Sequence, residues 1–250
     1  PLLDITTSQA LGLQRRLGIK TYLGQKHASP TIAEAVEQMA ADRVERAVGL
    51  VLAPHYSKMS IGDYESRVRR AAEGTWQGTL QMVKNWHTEP GYIQFLASAV
   101  HRALNRLSDG VREEAVVIFS AHSLPSRILQ AHDPYPCQLQ ETADAVARRA
   151  GLARWQTGWQ SAGRTTDPWL GPDVTEILAE LASKSVRGVV VCACGFVAEH
   201  LEVLYDLDIE AKARADELGL EFTRTNMPNN DSLFLDTLAE VVDRRFAENP

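Results

Sequence analysis

The chain has 250 residues, enough for one large domain or two modest ones and for a sizeable core without disulfide staples. Its composition, 44% hydrophobic and 23% charged, excludes intrinsic disorder, collagen and coiled coil. A formal charge of −6 argues against non-specific nucleic-acid binding, which rests on neutralising phosphate, and the most apolar run, 189–198, is far too short to span a bilayer.

In chain order, apolar spacing predicts a helix over 5–17, capped at Thr7 or Ser8, and another over 31–39 just after Pro30. A continuous apolar strand over 47–53 ends at Pro54-His55. A helix over 64–72, a strand over 80–86 and a long helix over 92–107 follow. The pattern restarts near Asp109-Gly110. A buried strand over 115–119 ends in Ser120-Ala121-His122-Ser123-Leu124-Pro125. Then come a helix over 139–150, a strand over 155–159, a turn-rich loop over 161–172 and a helix over 174–182. A buried strand over 189–194 leads into a helix running to about Leu218. A short strand over 222–225 and a closing helix over 232–246 complete the chain. Apolar strands alternating with helices predict an α/β fold with parallel sheets covered on both faces. The restart suggests two similar lobes, 1–111 and 112–230, with 231–250 as the closing helical segment.

In such folds ligands bind beyond the carboxyl ends of the strands, so the strand ends are where chemistry is expected. His122 closes a buried strand, where a neutral imidazole can bind a transition metal or accept a proton. A histidine bonded to its own loop is the plainer alternative. Glu202, Asp206 and Glu210 stand at i, i+4, i+8 on one helix face. Like charges so spaced destabilise a helix unless compensated, and a divalent cation suits oxygen ligands. A solvated acidic face is the competing reading, since Glu199 and Asp208 lie nearby. His200 and Glu202, two apart, converge only where the helix is irregular, as at a π-bulge. Trp159 and Trp169 flank the turn-rich loop and either wall a pocket or simply pack. Tyr64 and Arg67, one turn apart, either meet a carboxylated ligand or lie on a surface helix.

Of the three cysteines, Cys192 and Cys194 sit in the apolar run and read as buried thiols of a reducing cytosol. No Gly-rich phosphate loop is present, and neither Ser120 nor Ser123 has the flanking glycines of a nucleophile elbow.

The run Phe119-Ser120-Ala121-His122-Ser123-Leu124-Pro125 resembles the signature of ferrochelatases, enzymes that insert ferrous iron into a porphyrin. The likeness continues through Asp133-Pro134-Tyr135-Pro136, Gly158-Trp159-Gln160-Ser161, Pro168-Trp169-Leu170-Gly171-Pro172 and the stretch from Gly195 to Asp206. It covers essentially the whole chain, more loosely before Val116. The resemblance implies two flavodoxin-like lobes with a porphyrin cleft between them. It implies His122 as the active-site histidine and Glu202 as the carboxylate facing it. Asp206 and Glu210 fall on the acidic ladder that passes metal inward, along a π-distorted helix. Tyr64 matches a porphyrin-contacting tyrosine.

Iron is then a substrate, and His122, Glu202, Asp206 and Glu210 are its expected ligands. No organic cofactor is implied. No iron–sulfur cluster is expected, because the chain ends at Pro250 without the cysteine-rich extension of some family members. Pro1-Leu2 matches the family just after an N-terminal turn, so an N-terminally shortened enzyme is expected, lacking the first strand and its basic loop. The wording favours the enzymes that turn coproporphyrin III into coproheme. The alternatives are a protoporphyrin IX enzyme, a cobalt-inserting relative or an inactive porphyrin-binding protein. A cytoplasmic monomer without stable membrane insertion or nucleic-acid partner is expected.

Overall fold

The computed structural model describes residues 1–163 and 165–248. Arg164, within the turn-rich loop, and residues 249–250 of the closing segment lie outside the described residues. Helix α1 (Leu2–Leu17) precedes α2 (Ile32–Ala41), β1 (Arg46–Gly49), α3 (Ile61–Ala72), β2 (Thr79–Met82), α4 (Pro90–Leu104) and the single turn α5 (Asp109–Arg112). Strand β3 (Val116–His122), α6 (Tyr135–Ala150), β4 (Trp155–Gln160), α7 (Val174–Ser183) and β5 (Gly188–Cys192) then alternate. Helix α8 (Leu201–Val203), a π-helical stretch (Leu204–Ala211) and α9 (Lys212–Glu217) follow one another directly. Strand β6 (Glu221–Arg224) and α10 (Ser232–Ala247) complete the order.

Packing divides the chain into two units: Leu3–Trp86 with Asn229–Pro250, and Pro1–Leu2 with His87–Pro228. The strand pattern restarts near residue 110, yet the packing boundary lies at Trp86/His87. The reason is that α4 packs on α6 and β5, so the second unit claims it. The closing helix α10 packs on β1 and is part of the first unit rather than a separate segment.

In the first unit β1 and β2 pair in parallel from Arg46↔Thr79 to Gly49↔Met82. The ladder stops short of residues 53 and 86. Beyond it only isolated bonds persist, such as the Trp86 N–H donating to the Pro54 carbonyl at 3.1 Å. Thr31 caps α2 in a reciprocal box with Glu34, which fixes where that helix starts. Helix α1 begins at Leu2, so Thr7 and Ser8 lie inside it rather than at its cap.

The second unit holds a four-stranded parallel sheet in the order β4-β3-β5-β6. Strands β3 and β5 are buried on both faces, which is why they read as unbroken apolar runs. Val116, Ile118, Val189 and Val191 pack one face against Ile177, Leu178 and Leu181 of α7 and against Val203, Leu207, Ala211 and Ala215. The last four recur every four residues. A four-residue step overshoots the 3.6-residue turn of an α-helix and undershoots a π turn, so the mixed α–π–α winding keeps them in one row.

From β3 the chain crosses to β4 on one side, and from β5 to β6 on the other. The neighbouring ends of β3 and β5 therefore form a topological switch point, where a ligand crevice is expected. Among the described residues no helix is long and apolar enough to cross a membrane.

Candidate active site

His122 is the last residue of β3, in register with Gln160 at the end of β4. Its Nδ1–H donates to the Ser123 carbonyl at 2.5 Å, because a carbonyl can only accept. Nε2 is left facing outward, 3.7 Å from Glu202 Oε2. The Tyr135 hydroxyl donates to the His122 carbonyl at 3.0 Å and fixes the strand end.

Glu202 comes from the other side of the switch point, on α8 after β5. Its approach depends on Gly195, whose N–H donates to the Ser120 carbonyl at 3.0 Å. A Cβ at Gly195 would lie 2.5 Å from Ala121 Cβ and 2.7 Å from Ala121 Cα, so only glycine lets this loop lie on β3.

His200 does converge on Glu202, with Nε2 3.5 Å from Oε2. The cause is not a π-bulge between them. His200 precedes the helix in extended conformation, φ −153° and ψ 173°, and swings back over α8. Its Nδ1–H donates to the Ala198 carbonyl at 3.1 Å. The π-helical winding begins two residues after Glu202, at Leu204. The Phe196 ring packs between the two imidazoles, 6.4 Å from His122 and 5.2 Å from His200 by centroid. The hydrogen bond from His200 is the first cause that holds the Glu202 carboxyl below the usual carboxylate range, burial opposes it, and His122 and His200 add attraction only when protonated.

The acidic residues of this segment divide by partner. Arg224, at the end of β6, holds Asp208 through Nε and Nη2 at 2.6 and 2.7 Å and Glu199 through Nη1 and Nη2, both at 3.1 Å. Hydrogen bonding to Asp208 leads the causes that raise the Arg224 pKa, so its charge is fixed. Those two carboxylates are neutralised in place. Asp206 instead meets neutral donors, the Ser161 hydroxyl and, at 3.4 Å, Gln160 Nε2. Glu210 is exposed one step further along the row. Among the described residues, no three His, Cys, Asp or Glu side chains come together as a metal cage. The carboxylates form a row rather than a basket.

Tyr64 belongs to the first unit, on α3. Lys26 Nζ stands 5.0 Å from its ring centroid, and burial is the first cause that pushes its phenol pKa up. Arg67 is taken by Asp63 at 3.0 Å, as on an ordinary surface helix. The tryptophans of the turn-rich loop pack: Trp159 against Tyr135 at 5.6 Å, and Trp169 through Nε1 to Thr165 at 2.9 Å. Cys192 and Cys194 are buried, free thiols. The sequence reading singled out His122, Glu202 and the ladder but missed Ser120, Gln160 and Arg224. The in-register pairing of Gln160 with His122, which a sheet alignment of the two strands would have given, was the available signal for Gln160.

The family model described as ferrochelatase matches residues 1–246. A coproporphyrin III ferrochelatase of Geobacillus kaustophilus is 46% identical over 256 residues, covering 99% of this chain and 81% of its own. The protein of the same name from Halalkalibacterium halodurans is 43% identical over 99% of this chain and 82% of its own. Among solved structures, SirB from Bacillus subtilis with Fe³⁺ superposes with a TM-score of 0.69 at 12% identity, over 98% of this chain and 91% of that one. That likeness is one of fold.

Proposed function

The chain belongs to the ferrochelatase family, and on that premise we propose how its residues insert Fe²⁺ into coproporphyrin III to give coproheme. It is a lyase-class metal chelatase of heme biosynthesis. The observation that carries the residue assignment is the pair across the switch point, His122 Nε2 3.7 Å from Glu202 Oε2.

Metal insertion exchanges two pyrrole N–H protons for one Fe²⁺. With its Nδ1 proton committed to Ser123, neutral His122 offers the lone pair of Nε2, and a proton taken there lands beside the Glu202 carboxylate. Glu202, kept ionised by His200, either takes the second proton or meets the incoming metal. Asp206 and Glu210 pass Fe²⁺ along the helix face, since an open row of carboxylates binds a hard cation without trapping it. Tyr64, whose ring lies 5.0 Å from a Lys26 ammonium that is itself paired with Asp63, is assigned to the porphyrin. Iron is the substrate, and the exchange requires no organic cofactor. The protein is proposed to act as a cytoplasmic monomer.

The test is anaerobic Fe²⁺ insertion, comparing coproporphyrin III with protoporphyrin IX in the wild type and in His122→Ala. Faster turnover of coproporphyrin III is expected, with insertion abolished in the variant while porphyrin binding survives. Equal or faster protoporphyrin turnover would overturn the substrate assignment. Wild-type rates in His122→Ala would overturn the role of His122.

A further inference from the structure

Three features of the second unit stand outside the proton and metal chemistry above. A shallow polar hollow between α4 and α6 is lined by Gln94, Ser98, His101 and Arg149, but Arg149 is already bonded to Gln94. His87, in the turn before α4, forms a bonded chain with Glu141 and Cys137 of α6, yet the carboxylate in the middle raises the thiol pKa, the opposite of an activated nucleophile. The third feature reaches the site itself.

Ser120 is fully buried on β3, two residues before His122, and its hydroxyl donates to Gln160 Oε1 at 2.9 Å. That bond orients the amide. With Oε1 bound to Ser120, Nε2 of Gln160 is turned toward Asp206 Oδ2, 3.4 Å away. Gln160 is itself only 2% exposed, so the amide has little room to turn over. Ser161, held at φ 58°, adds its hydroxyl to the same carboxylate oxygen. Both donors are neutral, and both engage Oδ2. Neither donor brings a positive charge to Asp206, whereas Arg224 sets one against Asp208 and Glu199, and the other Asp206 oxygen is not engaged by this pair.

We propose that the buried Ser120–Gln160 pair is a positioning device that sets the Asp206 carboxylate for metal transfer, anchoring it to the same strand ends that carry His122. The inference rests on Asp206 as a metal-passing residue. The pair fixes one oxygen with uncharged donors and presents the other to the cation. A cationic anchor would cancel the attraction for Fe²⁺, and a solvated carboxylate would leave the rotamer free.

The experiment measures KM for Fe²⁺ and for coproporphyrin III separately in Ser120→Ala, Ser120→Thr, Gln160→Met and Asp206→Asn, with thermal melts of each. Ser120→Ala and Gln160→Met should raise KM for Fe²⁺ about five- to tenfold, the loss of one oriented hydrogen bond to a carboxylate, with porphyrin KM moving less than about twofold. Ser120→Thr keeps the hydroxyl and should restore the metal KM. Ser120→Ala combined with Asp206→Asn should be no worse than Asp206→Asn alone. If Asp206→Asn raises the metal KM and the Ser120 and Gln160 variants do not, the device is refuted while the role of Asp206 stands. Lowered melting with an unchanged metal KM reduces the pair to a structural contact and refutes it too. An unchanged metal KM in Asp206→Asn removes Asp206 from metal transfer, and the proposal with it. Calorimetric titration with Co²⁺, which resists oxidation, repeats the comparison without turnover.

Discussion

Gly195→Ala tests whether the close approach of the β5–α8 loop to β3 sets the distance between His122 and Glu202. The added methyl would stand 2.5 Å from Ala121 Cβ and 2.7 Å from Ala121 Cα. Carbon atoms in contact prefer about 3.5–4.0 Å, so one partner must retreat by about 1 Å. Ala121 cannot, because it is fully buried in a central strand, and Ser120 and His122 beside it pair with β4. The loop therefore moves, straining the 3.0 Å bond from Gly195 N–H to the Ser120 carbonyl and carrying Glu202 away from His122. Overpacking of this kind costs roughly 1–3 kcal/mol, which at about 2–4 °C per kcal/mol lowers Tm by several degrees without unfolding the chain. A displacement of about 1 Å in a reacting pair costs on the order of 10²-fold in rate. Anaerobic Fe²⁺ insertion and thermal denaturation should thus separate: a large loss in kcat beside a modest loss in Tm. Gly110→Ala is the control, since nothing lies within 4 Å of its Cβ and helix propensity favours alanine. A Gly195→Ala enzyme with lowered Tm and wild-type kcat would show that the loop contact stabilises the unit without positioning Glu202.

Other outcomes follow from the same geometry. Glu202→Gln removes the charge from the centre of the site and should lower kcat/KM at least about hundredfold in the insertion assay; an unchanged value removes Glu202 from the chemistry. His200→Phe keeps the ring contact with Phe196 but deletes the hydrogen bond that leads the lowering of the Glu202 pKa. A depressed carboxyl keeps its ionised form as pH falls to its folded-state pKa, so losing the depression should shift the acid limb of kcat/KM to higher pH. An unmoved limb in that variant means His200 does not tune Glu202. Arg224→Met strands Glu199 and Asp208, and because Asp208 is partly solvated the cost should be about 2 kcal/mol, visible as a drop in Tm of several degrees. An unchanged melt would show that solvent alone satisfies both acids.

What the sequence disclosed and what it withheld follow one physical division. Strands β3 and β5 are buried on both faces, so Val116 to Phe119 and Val189 to Val191 are unbroken apolar runs, and the polar residue closing the first, His122, stands out. Local spacing likewise exposed the 202–206–210 row. Pairings that depend on the sheet order were hidden. Arg224 reaches Glu199 and Asp208 because β6 lies beside β5, and no local spacing encodes that neighbour. Two-residue spacing sets His200 and Glu202 on different sides of a regular helix and lets them meet only through an irregular one, whereas here His200 stands in extended conformation before the helix and meets Glu202 from there. Strand β1 ran long in the sequence reading because residues 50–53 are apolar, although their backbone leaves the ladder after Gly49.

The acidity of the segment from Glu199 to Glu210 now has an order that charge counting misses. An uncompensated row of like charges on one helix face is destabilising, and the fold answers it in two ways. Arg224 neutralises the two acids that lie off the row, Glu199 and Asp208. The three on it are met by imidazoles at Glu202, by neutral donors at Asp206 and by solvent at Glu210. The π winding from Leu204 to Ala211 is what allows both arrangements at once. It keeps Val203, Leu207, Ala211 and Ala215 on the core, and by the same four-residue step it aligns Glu202, Asp206 and Glu210 beside them. In a regular α-helix each four-residue step would drift about 40° further round the axis, so the row would curl rather than run straight. A cation passing along the row would relieve the repulsion among its like charges, which is the physical ground for the metal-passing role proposed for these carboxylates.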